Sequence, residues 1–175
     1  MLVNMTYSFS KSFPTEVIME VPRGILALTL ILLAQVPMLG QEADDSEYLG
    51  TFSSNEFDPD SVSNPFGTYG SEFSPDSINN PFGIFGSPYS PSSVNNPYAT
   101  DTPKLYGADG TYLGKLSSNP YDPESISNPF GVHGSEFSPD SINNRFSPYG
   151  SEFSPLSPNN PYATEPPLII FDPDE

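Results

Sequence analysis

Cysteine is absent from the chain, basic residues number five against twenty-two acidic ones, and histidine occurs once. Without cysteine there is no disulfide framework, no thiolate metal site and no lipid-bearing cysteine of the bacterial lipoprotein kind. With a formal net charge of -17 the chain repels nucleic acid and anionic membrane surfaces, because binding there depends on neutralising phosphates with Lys and Arg. The same charge attracts cations and basic partners. No serine lies in a G-x-S-x-G elbow, and no glycine-rich phosphate loop is present. The lone His133 stands where the first half of the chain has Tyr69, so it reads as an aromatic-sized filler. The expectation is that the protein is not an enzyme and needs no cofactor. Aliphatic side chains are scarce too: Leu, Ile, Val and Phe make up just under one fifth of residues 41 to 175. Such a chain orders locally and has a thin core.

What the chain has instead is repetition. Residues Tyr48 to Thr100 recur without a gap as Tyr112 to Thr164, sixty-four positions along. A shorter unit of sixteen residues recurs inside each half, opening at Phe57, Phe73 and Tyr89 and again at Tyr121, Phe137 and Phe153. A repeated unit this small cannot close a core alone, so neighbouring units must share one. Stacking would place Phe57, Phe73 and Tyr89 in one row and Tyr121, Phe137 and Phe153 in another.

The unit Ser71 to Gly86, SEFSPDSINNPFGIFG, has three parts. Ser74-Pro75-Asp76-Ser77 carries a helix-start signal: a capping serine, proline at the first helical position and an acid suited to the helix dipole. One-turn helices are expected there and at Pro59, Pro123 and Pro139. Asn80-Pro81-Phe82-Gly83 suits a type I β-turn. The stretch Gly67-Thr68-Tyr69-Gly70-Ser71-Glu72-Phe73 alternates at period two and suggests a short extended piece. Phe73, Ile78, Phe82 and Phe85 form the apolar set. Between the halves, Asp109-Gly110 flanked by Leu105-Tyr106 and Thr111-Tyr112-Leu113 predicts a hairpin. The expected fold is an irregular tandem-repeat protein: one-turn helices, β-turns, short extended pieces and one β-hairpin, with little regular secondary structure.

Gly24 to Leu39 is an almost continuous apolar run behind Arg23 and ahead of an acidic stretch. It falls short of the roughly 20 residues that span a bilayer, so it reads as the helix of a cleaved signal peptide, with a retained anchor as the alternative. The domain plan is a signal peptide at 1–40, an acidic linker at 41–47 and a first repeat module at 48–104. A hairpin connector at 105–116 overlaps a second module at 112–164, and an acidic tail occupies 165–175. The two modules hold three units each. After residue 40 three basic residues face twenty acidic ones, so the net charge belongs to this exported part.

The run KLYGADGTYLGKLSSNPYDPESISNPFG, with SPDSINN and NNPYAT, resembles a group of short exported or surface-associated bacterial proteins. These carry tandem SPDSINNP[YF]G-type repeats and have no settled activity. The resemblance covers about residues 48 to 164 and implies bacterial export, to the periplasm or cell surface. It carries no catalytic residue over. This chain departs from the pattern in its many Phe for Tyr and in Arg145, which replaces a proline.

Two sets of residues are candidates for binding. Asp58, Asp60, Asp122 and Glu124 recur in register and offer hard oxygen ligands to calcium, while helix-start capping accounts for the same acids without a metal. Phe66, Phe82 and Phe130, each in an Asn-Pro-Phe turn, are candidates for partner contact. Such tripeptides also resemble the ligands of endocytic adaptor domains. The leading expectation is an exported, non-enzymatic scaffold or adhesive surface for a protein or cell-surface polymer, without nucleic acid and without a membrane once the leader is removed. A weak calcium-responsive module is the alternative, and a multivalent Asn-Pro-Phe ligand a remote one.

Overall fold

The computed structural model describes residues 3–5, 19–21 and 46–173. Two units separate along the chain, Met1–Ala43 and Asp44–Glu175. In the first, strand β1 (Val3–Met5) pairs antiparallel with β2 (Met19–Val21). The apolar run read as a signal helix lies outside the described residues.

The second unit is a chain of β-turns closed by a small sheet. The amides of Ser74, Ser77 and Asn80 donate to the carbonyls of Ser71, Ser74 and Ser77, each at 3.3 Å, and Gly83 donates to Asn80 at 3.0 Å. A longer step, Ser87 to Gly83 at 3.1 Å, completes the sixteen-residue coil, and the next coil begins. Side chains take the amides that these bonds leave over: Phe82 N donates to Asn80 Oδ1 at 3.0 Å, Asn79 N to Ser77 Oγ at 3.1 Å and Phe73 N to Ser71 Oγ at 3.3 Å. Ser or Asn at every third position therefore starts a turn with its carbonyl, and Ser71, Ser77 and Asn80 cap theirs with the side chain as well.

This pattern corrects two expectations. No helix occurs among the described residues, at Pro59, Pro75, Pro123, Pro139 or elsewhere. Proline with φ near −65° suits the first position of a helix and the second position of a β-turn alike. The caps at three-residue spacing consume the amides that a helix would need. The stretch Gly67 to Phe73 likewise forms turns, with Ser71 N bonded to Gly67 O at 3.1 Å, so the alternation there is turn tip against turn base. The low content of regular structure is as expected.

Asparagine ties coil to coil. Asn79 Nδ2 donates to Val62 O of the preceding coil at 2.8 Å and to Gly70 O at 3.0 Å; Asn95, Asn143 and Asn159 make the same pair of bonds. The second Asn of each pair braces its own coil, as Asn80 Nδ2 does on Ser74 O at 2.9 Å. Inside the coils sit a serine of zero exposure (Ser61, Ser77, Ser93 and their second-half equivalents) and a β-branched residue such as Val62, Ile78 or Ile142. Phe85 and Tyr149, sixty-four positions apart, fill equivalent interior slots. Of the expected apolar set, Ile78 and Phe85 are buried, whereas Phe73 and Phe82 stand in solvent.

Strands β3 (Glu47–Thr51), β4 (Lys104–Tyr106), β5 (Tyr112–Lys115) and β6 (Leu168–Phe171) form one antiparallel sheet in the order β3-β6-β4-β5. The hairpin expected at Asp109-Gly110 is β4 and β5, with Gly110 at φ 83° in its turn. Segment 165–175, expected as an acidic tail, supplies β6, one of the two central strands. The sheet is internally two-fold. Leu105 lies opposite Ile169, its own repeat equivalent, and Lys104–Lys115 in one outer pair matches Leu168–Thr51 in the other. Each half thus lends strands to the other. Leu49, Leu105, Leu113 and Ile169 have zero exposure, each worth about 2 kcal/mol of apolar burial. Gly50 and Gly114, at φ 92° and 108°, let the edge strands turn against Tyr69 and His133; a Cβ at Gly114 would lie 2.5 Å from that of His133.

Candidate functional site: the aromatic turn tips

Every coil puts two aromatic side chains at the third position of a turn, the point farthest from its base. One follows Asn-Pro or Asn-Arg: Phe66, Phe82, Tyr98, Phe130, Phe146 and Tyr162. The other follows a Glu or Pro: Phe57, Phe73, Tyr89, Tyr121, Phe137 and Phe153. All twelve are between 88 and 96 % exposed. The three sequence candidates Phe66, Phe82 and Phe130 belong to this set. They share it with nine more, which the assumption of a common aromatic core had concealed. Their regular placement follows from the turn: the tip residue's amide is held by the preceding Ser or Asn side chain, and its own side chain has nothing above it.

Between the tips run open grooves. In the first half a groove of about 800 Å³ is lined by Glu56, Pro65, Glu72, Phe73, Asn79 and Asn95 over a floor of Val62 and Ile78. The second half has its counterpart, about 570 Å³, lined by Glu136, Phe137, Asn143, Arg145, Phe146, Glu152 and Asn159. Arg145, Phe146 and Glu152 continue into an adjoining groove beside Phe153.

The carboxylates considered for calcium cap turns, and one of them pairs with a lysine. Asp58 Oδ1 accepts the amide of Asp60 at 3.0 Å, and Asp122 Oδ1 accepts that of Glu124 at 2.9 Å, which caps their turns. Glu124 pairs with Lys115 at 2.7 Å, and the hydrogen bond from that ammonium holds its carboxyl below the usual range. Among the described residues no group of three or more His, Cys, Asp or Glu converges on a metal-sized point.

A smaller cleft of about 350 Å³ lies beside the hairpin, lined by Lys104, Tyr106, Tyr112, Lys115 and Glu124. His133 rests edge-on against Tyr112, ring centroids 5.0 Å apart at 69°, as Tyr69 rests against Tyr48 at 5.3 Å and 70°. It fills the aromatic slot. Its Nδ1 is buried without a hydrogen-bond partner. Elsewhere the hairpin turn is fastened by Tyr149, whose hydroxyl donates to Asp109 Oδ2 at 3.0 Å. No family model, curated protein or solved structure matches the chain.

Proposed function

We propose that the protein is an exported, non-enzymatic repeat scaffold whose aromatic turn tips form a multivalent docking surface at the cell envelope or outside the cell. The observation that carries this reading is the set of twelve almost fully exposed Phe and Tyr side chains. Leaving a Phe in water rather than burying it forgoes about 2 kcal/mol, and a chain short of apolar residues does so at every turn of this type. Exposed apolar patches mark contact sites. Tandem presentation multiplies weak contacts through effective concentration, with no new chemistry at any one tip.

Fractionation of a native host tests the reading. The wild-type chain should be found on the envelope or outside, at an intact mass lacking the leader. Changing Phe66, Phe82 and Phe130 together to Ala should shift at least half of it into the unbound soluble fraction. Full-length mass in the inner membrane, or undiminished association of the triple variant, would overturn it.

A further inference from the structure

Resting on that reading, we propose that the first-half groove, with Glu56 and Glu72 beside Phe73, takes an extended arginine- or lysine-rich polypeptide segment. The groove is rich in hydrogen-bond acceptors. Both Glu side chains are without an ion pair among the described residues. Asn79 and Asn95 line the same groove, but their Nδ2 donors are already committed to the carbonyls of Val62, Gly70, Ile78 and Gly86. What these amides have left for a ligand is the Oδ1 acceptor. Two carboxylates and two amide oxygens beside an exposed ring match a ligand that brings donors and positive charge. A guanidinium meets both needs, since it binds carboxylate with a forked pair of N–H groups and stacks on an aromatic face. The surrounding net charge of -17 would steer such a segment toward the groove.

The second half supplies an internal comparison. Arg145 stands where the first groove has Pro65, five sixteen-residue units earlier, and lines its groove together with Glu136 and Glu152. A cationic side chain fixed to the chain therefore stands beside the acceptors of that groove. The first groove, which has no cation in its lining, is therefore the stronger site.

Titration of the full chain with an oligoarginine peptide at low salt tests this, with an uncharged Gly-Ser peptide of equal length as control. One tight site and one weaker site are expected. E56Q/E72Q should weaken the tight site roughly tenfold, from two exposed charge contacts at about 0.5–1 kcal/mol each. The charge-matched D101N/E165Q, outside the groove, should change it less than about twofold. R145P should tighten the second site. Equal losses for the two double variants would mean bulk attraction only and overturn the proposal. Absence of oligoarginine binding would do the same, as would displacement of the peptide by phosphatidylcholine vesicles, which would point to a lipid surface. If the peptide fails to bind while the triple Phe variant still leaves the envelope, the docking surface stands and its partner is not basic.

Discussion

At the scale of single residues, this fold depends on small polar side chains used as backbone substitutes. Most Ser and Asn side chains at turn starts satisfy an amide that a helix would have bonded internally, which is why a chain with so little aliphatic material can still be ordered. The aromatic residues divide by position, not by type: Phe85 is buried and Phe82, three residues earlier, is fully exposed. A pH effect belongs to this scale. Burial, then the nearby Asp60, pushes the Tyr48 phenol up to about 12. Tyr69 and Tyr149 are raised as well; for Tyr69 burial leads, and for Tyr149 burial and the Asp109 contact outweigh an opposing bond from Thr111. A phenol whose pKa is higher in the folded state binds more protons folded than unfolded. Its contribution is present below about pH 10 and is lost as pH climbs toward 12. The urea midpoint should therefore fall over that window, and Tyr48→Phe should flatten the fall; an unchanged slope in the variant would contradict the assignment.

At the scale of elements, the coil is the unit and asparagine is its coupling. The side chain of Asn79 closes two bonds, to Val62 O inside the coil before and to Gly70 O where that coil ends. Removing it leaves two inward carbonyls without their donor, at about 1–3 kcal/mol. Asn79→Ala should lower the thermal midpoint by several degrees and raise amide exchange in both neighbouring coils. A variant with loss confined to residues 74–83 would show that the coils are independent. The hairpin was legible because Asp-Gly between apolar pairs has one common structural meaning. The turns of the coil were legible only in part, because Ser-Pro and Asn-Pro start a helical turn and a β-turn equally well. The segment 165–175 looked like a tail because its acids obscured Leu168 to Phe171, of which Leu168 to Ile170 align with the hairpin strand Lys104–Tyr106 sixty-four positions earlier.

At the scale of the whole molecule, two copies of one module are joined as a symmetric dimer would be. The central pair β4–β6 sets repeat-equivalent residues face to face, and each edge strand pairs with a strand of the other half. A single half, residues 111–173, has strands whose partners lie in its sister. It should therefore dimerise through β6 against β6, with Ile169 opposite Ile169. Analytical ultracentrifugation should show a dimer at micromolar concentration, and Ile169→Lys should dissociate it. A folded monomer of that half would show that the strands can close within one module. The site divides along the same line. Phe66, Phe82 and Phe130 were identifiable from their Asn-Pro-Phe turns, but the full set of tips and the acceptor-lined grooves were not.

The sequence by itself determined the sixteen-residue unit, the doubling, the acidic surface, the scarcity of regular structure and the hairpin. Each of these follows from local chemistry or from identity at a fixed spacing. Only the tertiary structure decided which aromatics point inward, which helix-start signals become turns and which strands meet. Those outcomes depend on where the hydrogen-bond donors of one coil find acceptors in another. Asn79 and Asn80 are adjacent and chemically identical; one reaches back to Val62 and the other braces Ser74, because of the coil that precedes them.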